Sequence, residues 1–427
     1  MTNKQARNMS EIGQTCRRCK NEEAVLISRK EPFCGACFVH FIRGKQRKSM
    51  MSDDFKVKYG AKEKEITKVL LSLSCGSSSL VLLDSVVSML KEQAIQHRSR
   101  QGFELVVAII DTPSQQTLKP KEFIQKFKES VETSNLSVKF KIFEMNSMNI
   151  SKDEIQTLKI DTAFQLDVLP SEIEGDSMTL TELLDQFSSK STKQDFASAI
   201  TRKLCFGMAK SLDCGFVLLG HSMTRLAVEV LSLTVRGRGS EIGDALHDGE
   251  VSSESGLRVI YPLRDVLLSE IEQYIRVQNL THLVPLESPE YPKRLLRNSS
   301  IDEMIWDYFK DVGTNYAEVV STVVKIGDKL TSVEVGNPCK ICGELVADDP
   351  SHWLRKITVN EPFCDETVSV QSPDSSRSKP SSDEVHQTIC YACIVNMVIE
   401  PADQAQWPRK TSFESDVLEE YIIDDDD

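Results

Sequence analysis

Val69-Leu70-Leu71-Ser72-Leu73-Ser74-Cys75-Gly76-Ser77-Ser78-Ser79-Leu80 reads as a buried strand, a turn of small residues and the start of a helix. The first five residues make the short apolar run of a strand covered on both faces. Leu80, Leu83, Val87 and Leu90 then recur at helical spacing, which keeps one helix face apolar. Outward from this unit, Leu105 to Ile110 is a second buried-type strand that ends at Asp111. Val138 to Phe143 alternates like a third, Phe216-Val217-Leu218-Leu219-Gly220 leads into another helix through Leu231, and Arg258-Val259-Ile260-Tyr261 supplies a fifth strand. Strands alternating with helices predict an α/β fold with a doubly wound parallel sheet. In such a fold the turn after the first strand is a place for phosphate, because small residues let backbone N–H groups point at an anion at the positive end of a helix. The turn is not a Walker-A loop, since the spaced Gly-Lys-Ser/Thr is absent.

The twelve cysteines are clustered. Cys16-x-x-Cys19 and Cys34-x-x-Cys37 stand 14 residues apart; Cys339-x-x-Cys342 and Cys390-x-x-Cys393 are separated by 47. Two C-x-x-C turns can set four thiolates tetrahedrally about ~2.3 Å from a zinc ion. Four protein ligands leave no open position, so both sites are expected to be structural. Iron is the other metal that all-thiolate sites accept. Cys364, in Glu361-Pro362-Phe363-Cys364, echoes Glu31-Pro32-Phe33-Cys34 and is a fifth candidate for the second site. The long gap in that site contains a Ser/Pro/charged tract, residues 369–384, with the composition of a disordered insert. The remaining cysteines, Cys75, Cys205 and Cys214, lie in the middle zone, where Cys205 reads as a buried structural thiol.

These features divide the chain into a basic metal-binding head at 1–60, an α/β domain at 65–330, a second cysteine module at 335–400 and an acidic tail at 410–427, expected to be mobile. The net charge of -13 is uneven: residues 1–64 hold 15 Lys/Arg against 7 Asp/Glu, whereas the last 27 residues hold 2 against 9. A basic head suits a polyanionic partner or is an ordinary solvated surface. For phosphate contact the candidates are Arg17, Arg18, Lys20, Arg43, Lys45, Arg47 and Lys48, the last four in a basic run after aromatic Phe38 and Phe41. The alternative is a basic helix that packs its aromatics on the cysteine module. No apolar run approaches the ~20 residues that span a bilayer. Met1 to Glu11 lacks the apolar stretch of a signal peptide, so the expected location is cytoplasmic, with reduced thiols.

Ser74-Cys75-Gly76-Ser77-Ser78-Ser79 resembles the PP-loop of the ATP-pyrophosphatase superfamily, whose motif is Ser-Gly-Gly-x-Asp-Ser. Ser74, Gly76 and Ser79 match; Cys75 replaces a glycine and Ser78 the Mg²⁺-supporting aspartate. Downstream, Gly220-His221-Ser222-Met223-Thr224-Arg225 stands where catalytic relatives carry Gly-His-Asn-x-Asp-Asp, followed by Arg236-Gly237-Arg238-Gly239 and Tyr261-Pro262-Leu263-Arg264. Together with the flanking cysteine pairs, this ordered set resembles the cytoplasmic tRNA 2-thiolation protein 2 family from Cys16 to Cys393. The resemblance implies a PP-loop-type fold with a degenerate loop and no catalytic residue of its own. It implies a non-catalytic subunit that pairs with a catalytic PP-loop paralogue, which binds the ATP. The pair would 2-thiolate the wobble uridine of cytosolic tRNAs of the Lys, Glu and Gln type, with sulfur from a thiocarboxylated ubiquitin-related modifier. Two other readings stand beside it. One is a stand-alone ATP-dependent tRNA sulfurtransferase with Cys75 as nucleophile at a helix N-terminus, against which no acidic cluster is visible near the loop. The other is a zinc-stabilised protein scaffold.

Overall fold

The computed structural model describes residues 15–60, 66–111, 119–131, 135–145, 148–161, 164–173, 175–250, 256–284, 299–330, 336–346, 350–357, 388–398, 404–409 and 422–424. Its centre is a seven-stranded sheet. The strands are β1 (Thr67–Ser72), β2 (Phe103–Asp111), β3 (Val138–Glu144), β4 (Phe216–Leu219), β5 (Gly249–Glu250), β6 (Arg258–Ile260) and β7 (Ile422–Asp424), in the spatial order β5-β6-β4-β1-β2-β3-β7. β6, β4, β1, β2 and β3 run parallel, and both edge strands are antiparallel. The chain builds β1, β2 and β3 in one direction and then returns to place β4 on the far side of β1. The order therefore reverses between β1 and β4, the position at which open α/β sheets bind ligands outside their carboxyl ends.

The five expected strands and the helix after the first, α2 (Ser77–Gln96), all form. Side chains alternate between two cores. Val69, Leu71, Leu105, Val107, Ile109, Phe216 and Leu218 enter one; Leu70, Val106, Ala108, Ile110 and Val217 enter the other. This two-sided burial is why the strands read as continuous apolar runs. α2, α3 (Pro120–Ser130) and α6 (Leu268–Val277) cover the first face. α4 (Lys190–Ser211), α5 (Met223–Val235), α7 (Ile301–Asn315) and α8 (Ala317–Gly327) cover the second. A small antiparallel sheet, Ile155–Ile160, Leu166–Pro170 and Gln404–Pro408, joins that second core through buried Leu158 and Trp407; the sequence reading had no element there.

Neither cysteine region sits apart from the α/β domain. α1 (Gly35–Ser49) follows the first cluster, and its Phe38, Val39 and Ile42 share one core with β1 and α2. Cys339, Ile341, Cys342, Cys393 and Ile394 share the opposite core with α4 and α5. The tail is corrected as well. Ile422–Asp424 pairs antiparallel with β3, where it covers a hydrogen-bonding edge that would otherwise face water. The remainder of the tail, Cys364 and the tract 369–384 lie outside the described residues.

The head is clamped to α6 by buried ions. Glu270, whose side chain is 3% exposed, accepts from Ser28 Oγ at 2.8 Å, Arg29 Nε at 2.9 Å, Lys45 Nζ at 3.2 Å and the backbone N–H of Leu267 at 2.9 Å. Burial alone would raise its pKa, but the Lys45 ammonium and Arg29 guanidinium outweigh that and hold it below the usual 4.5. A depressed carboxylate pKa contributes stability that is present above about pH 4.5 and lost as pH falls through the folded value. Glu270→Gln, which leaves Lys45 buried without a counter-charge, is expected to cost about 3 kcal/mol in denaturant unfolding and to flatten the acid limb of the stability profile.

Candidate functional site

Each cysteine cluster joins a tight turn to the first turn of a helix. At the N-terminal cage Cys16 and Cys19 lie on a turn closed by Lys20 N–H donating to Cys16 O at 2.9 Å, with Lys20 in the left-handed region at φ 60°. Cys34 caps α1 and Cys37 lies in its first turn. At the C-terminal cage Gly343 repeats the device, with φ 83° and its N–H donating to Cys339 O at 2.9 Å. Cys390 precedes α9 (Tyr391–Val398), and Cys393 lies in that helix's first turn. Cys390 N–H and Cys393 N–H donate to Cys339 Sγ and Cys390 Sγ at 3.3 and 3.4 Å.

In each cage the four sulfurs lie within 4.8 Å of one another. Cys19 Sγ and Cys34 Sγ are 3.8 Å apart, and Cys342 Sγ and Cys390 Sγ 3.7 Å. A tetrahedron of sulfurs each ~2.3 Å from one ion has edges of about 3.8 Å. The residues therefore fit a single tetrahedral ion, whereas a four-iron cluster spreads its thiolates over separate irons. The spacing inferred from the two C-x-x-C pairs is the one the fold assembles. In the C-terminal cage, hydrogen bonds from Cys342, Cys390 and Cys393 pull the Cys339 thiol far down, while sulfur contacts push Cys390 and Cys393 up. Ion entry would require the remaining protons to leave.

At the switch point the loop after β1 meets the loop after β4. Gly220 is required there: a Cβ on it would stand 2.7 Å from Ser79 Cα. Ser79 Oγ donates to Gly76 O at 3.0 Å and lies 3.1 Å from Ser74 Oγ. Gly76 caps α2 with no side-chain hydrogen bond, and Ser77 and Ser78 are half-buried at the helix start. Cys75 adopts φ 54° where a PP-loop has glycine, yet its side chain points into the first core and is 2% exposed. Burial, then Asp111, push its thiol up to about 12. This weighs against the alternative reading of Cys75 as an activated nucleophile, because the apolar core disfavours the thiolate more than the helix end favours it.

The other positions also carry structural duties. Thr224, 2% exposed, accepts from the Leu268 N–H at 3.1 Å and so anchors the start of α6. Arg225 pairs with Glu229 along α5. His221 stacks on buried Tyr261 with ring centroids 5.3 Å apart; burial, with Arg225 and Arg202, lowers it to about 3 and keeps it neutral. Cys205 and Cys214 are both buried, with thiols pushed up by burial to about 11 and 12. One expectation about acids is corrected. Asp111 and Glu144 are register partners at the carboxyl ends of β2 and β3, beside the loop, a pairing that strand register creates and linear spacing hides. Burial and then Glu144 raise the Asp111 pKa.

The basic candidates divide. Arg43 Nε donates to Tyr274 Oη at 2.9 Å and Arg43 Nη2 to Asp84 Oδ2 at 3.1 Å, with the Tyr274–Asp84 hydrogen bond closing the triad. Lys45 is 14% exposed on Glu270, and Arg47 pairs with Glu92. Both charges are engaged inside the chain, which leaves Arg43 and Lys45 less available for phosphate contact than the exposed candidates. Arg17, Arg18, Lys20 and Lys48 stay exposed; Arg17 pairs with Glu31 and Arg18 lies over Phe33 and Phe41. Arg17, Arg18 and Lys20 lie on the first cage turn, while Lys48 is at the far end of α1, about 20 Å along the helix from its start.

A doubly wound α/β protein with an altered phosphate loop between two four-cysteine cages is the class that fold and site define. The family model "Cytoplasmic tRNA 2-thiolation protein 2" matches residues 300–395. A protein of that name from Debaryomyces hansenii is 37% identical over 444 residues, covering 96% of each chain. One from Scheffersomyces stipitis is 37% identical over 447 residues, covering 100% of this chain and 99% of its own. The chain belongs to the cytoplasmic tRNA 2-thiolation protein 2 family. Among solved structures, the U34-tRNA thiolase NcsA from Methanococcus maripaludis with its [4Fe-4S] cluster is similar, with a TM-score of 0.49 and 18% identity over 82% of this chain and 98% of that one.

Gly220→Ala is expected to lower stability by about 2 kcal/mol in denaturant titration, because the added methyl meets backbone that cannot yield cheaply. Cys75 is expected to resist iodoacetamide in the native protein and to react once unfolded; mass mapping of the alkylated peptides would reveal native labelling if the thiol were activated.

Proposed function

We propose that this chain is the non-catalytic subunit of a cytoplasmic complex that 2-thiolates the wobble uridine of tRNAs of the Lys, Glu and Gln type. Family membership supports the thiolation role. The observation that carries the non-catalytic reading is the state of the switch-point loop. Ser78 offers a neutral hydroxyl where PP-loops hold an aspartate, Thr224 is committed to α6, and Cys75 is sealed in the core. A hydroxyl cannot supply the anionic ligand that Mg²⁺ takes beside phosphate.

In this reading a catalytic PP-loop paralogue binds ATP and activates the uridine C2 oxygen, and sulfur comes from the thiocarboxylated ubiquitin-related modifier. This chain supports the paralogue and extends the tRNA surface. Both cages hold zinc, whose all-thiolate tetrahedral preference suits the sulfur spacing. No ligand position is left for chemistry, so the zinc is structural. Among the described residues no helix is long and apolar enough to cross a membrane. Arg17, Arg18, Lys20 and Lys48 are the tRNA-facing candidates, with Arg47 at their margin.

Reconstitution tests the reading. With ATP and the sulfur donor, only the mixture of this chain and the paralogue is expected to thiolate tRNA, and Ser78→Ala in this chain is expected to change nothing. Thiolation by this chain alone would overturn it. Replacing Arg17, Lys20 and Lys48 by Glu is expected to weaken tRNA binding by the complex and to lower the salt slope by about 0.9 or less per lost contact. Equal affinity of variant and wild type at low salt would remove these residues from the interface.

A further inference from the structure

Arg236-Gly237-Arg238, after α5, has no part in the switch-point loop, and its geometry leads to the C-terminal cage. Gly237 adopts φ +75°, and a Cβ there would stand 2.3 Å from the ring of Tyr391, the residue after Cys390. The bare backbone lets Tyr391 close over the loop and turns both arginines inward. Arg238, 4% exposed, grips Asp195 through Nε at 3.0 and 3.2 Å and Nη2 at 2.7 Å, and Glu241 through Nη1 at 2.7 Å. The same guanidinium reaches sulfur, with Nη2 3.6 Å from Cys393 Sγ and Nη1 3.9 Å from Cys390 Sγ. Asp195 is held from two further sides: Arg236 Nη1 donates to it at 3.2 Å, and Asn396 Nδ2, on the helix that carries Cys393, at 2.7 Å. Arg236 in turn pairs with Asp302 of α7 at 2.5 Å. The N-terminal cage differs: Arg18 reaches Cys16 through its backbone N–H, and among the described residues no Arg or Lys side chain is seen donating to its sulfurs.

We propose that Arg238 is a positioning residue of the C-terminal metal centre. It donates N–H···S hydrogen bonds to Cys390 and Cys393 and ties their sulfurs through Asp195 to α4. Four thiolates on one divalent ion carry a net charge of 2−, and burying that charge is costly without donors or counter-charge. Arg238 supplies both in a fixed fork that a lysine cannot reproduce. Such outer contacts draw electron density from sulfur and set ligand orientation. The two cages, alike in ligands, should therefore differ in how tightly they hold metal, with the C-terminal one the tighter.

This inference rests on the cages taking an ion, and cobalt(II) alone separates the two claims. The full chain, stripped and reloaded, is expected to take two equivalents with tetrahedral thiolate spectra; failure to do so would defeat the metal reading itself. In the loaded protein, Arg238→Met is expected to weaken one of the two equivalents about tenfold in chelator competition. The sulfur-to-cobalt charge-transfer band of that equivalent is expected to move to lower energy, because sulfur without its donors is more readily oxidised. Arg238→Lys, which keeps the charge and loses the fork, is expected to lie between Met and wild type, and it gives the reading if the Met variant does not fold. Asn396→Ala loosens Asp195 without touching sulfur, so it should leave the band in place. A folded Arg238 variant with an unchanged band and unchanged cobalt affinity would overturn the proposal.

Discussion

A parallel sheet must be covered on both faces, because its strands are apolar on both sides. Here that requirement draws the segments around both cysteine clusters into the cores. The helix that leaves the first cysteine cage buries Phe38 and Ile42 against β1 and α2. The second cage buries its own cysteines and Ile341 against α4 and α5. The two cage regions thus pack on opposite faces of the sheet, and metal binding and folding of the α/β body are expected to be coupled. Buried ions fix the arrangement: Glu270 on the first face, Asp195 and Arg238 on the second. Such ion clusters are stringent about geometry, since loss of one partner leaves a buried charge.

Between the cages the switch point keeps the frame of a phosphate-binding fold. Strand order, the small-residue loop and the approach of Gly220 to Ser79 are all retained. The groups that a reaction would use have other work. Cys75 fills core, Thr224 anchors a helix, and the neutral His221 stacks on Tyr261. Backbone geometry in such a fold is fixed by close packing, whereas side-chain chemistry at the loop mouth is not, so the first can persist when the second changes.

Much of this was legible in the sequence. The β1-loop-α2 unit showed itself by period and by small residues, and the ligand pairs by C-x-x-C spacing, because both signals are local. What was not legible depends on distance. Nothing near Arg43 or Lys45 in the chain announces Asp84 or Glu270, so both read as free surface charges. Asp111 and Glu144 become neighbours only through strand register. Ile422 and Ile423 lie in a tail that reads only as acidic, and their place on the edge of β3 comes from the fold. Arg238 lies 152 residues from Cys390, and its grip on the cage is a product of the fold alone.

The most direct test of a retained frame without its chemistry is to incubate the isolated, metal-loaded chain with Mg·ATP and tRNA and to assay pyrophosphate and AMP. The expected result is no release above a protein-free blank, with release appearing when the catalytic paralogue is added. Pyrophosphate formed by the isolated chain would contradict it and would return Ser78, Asp111 and Glu144 to the centre of an active site.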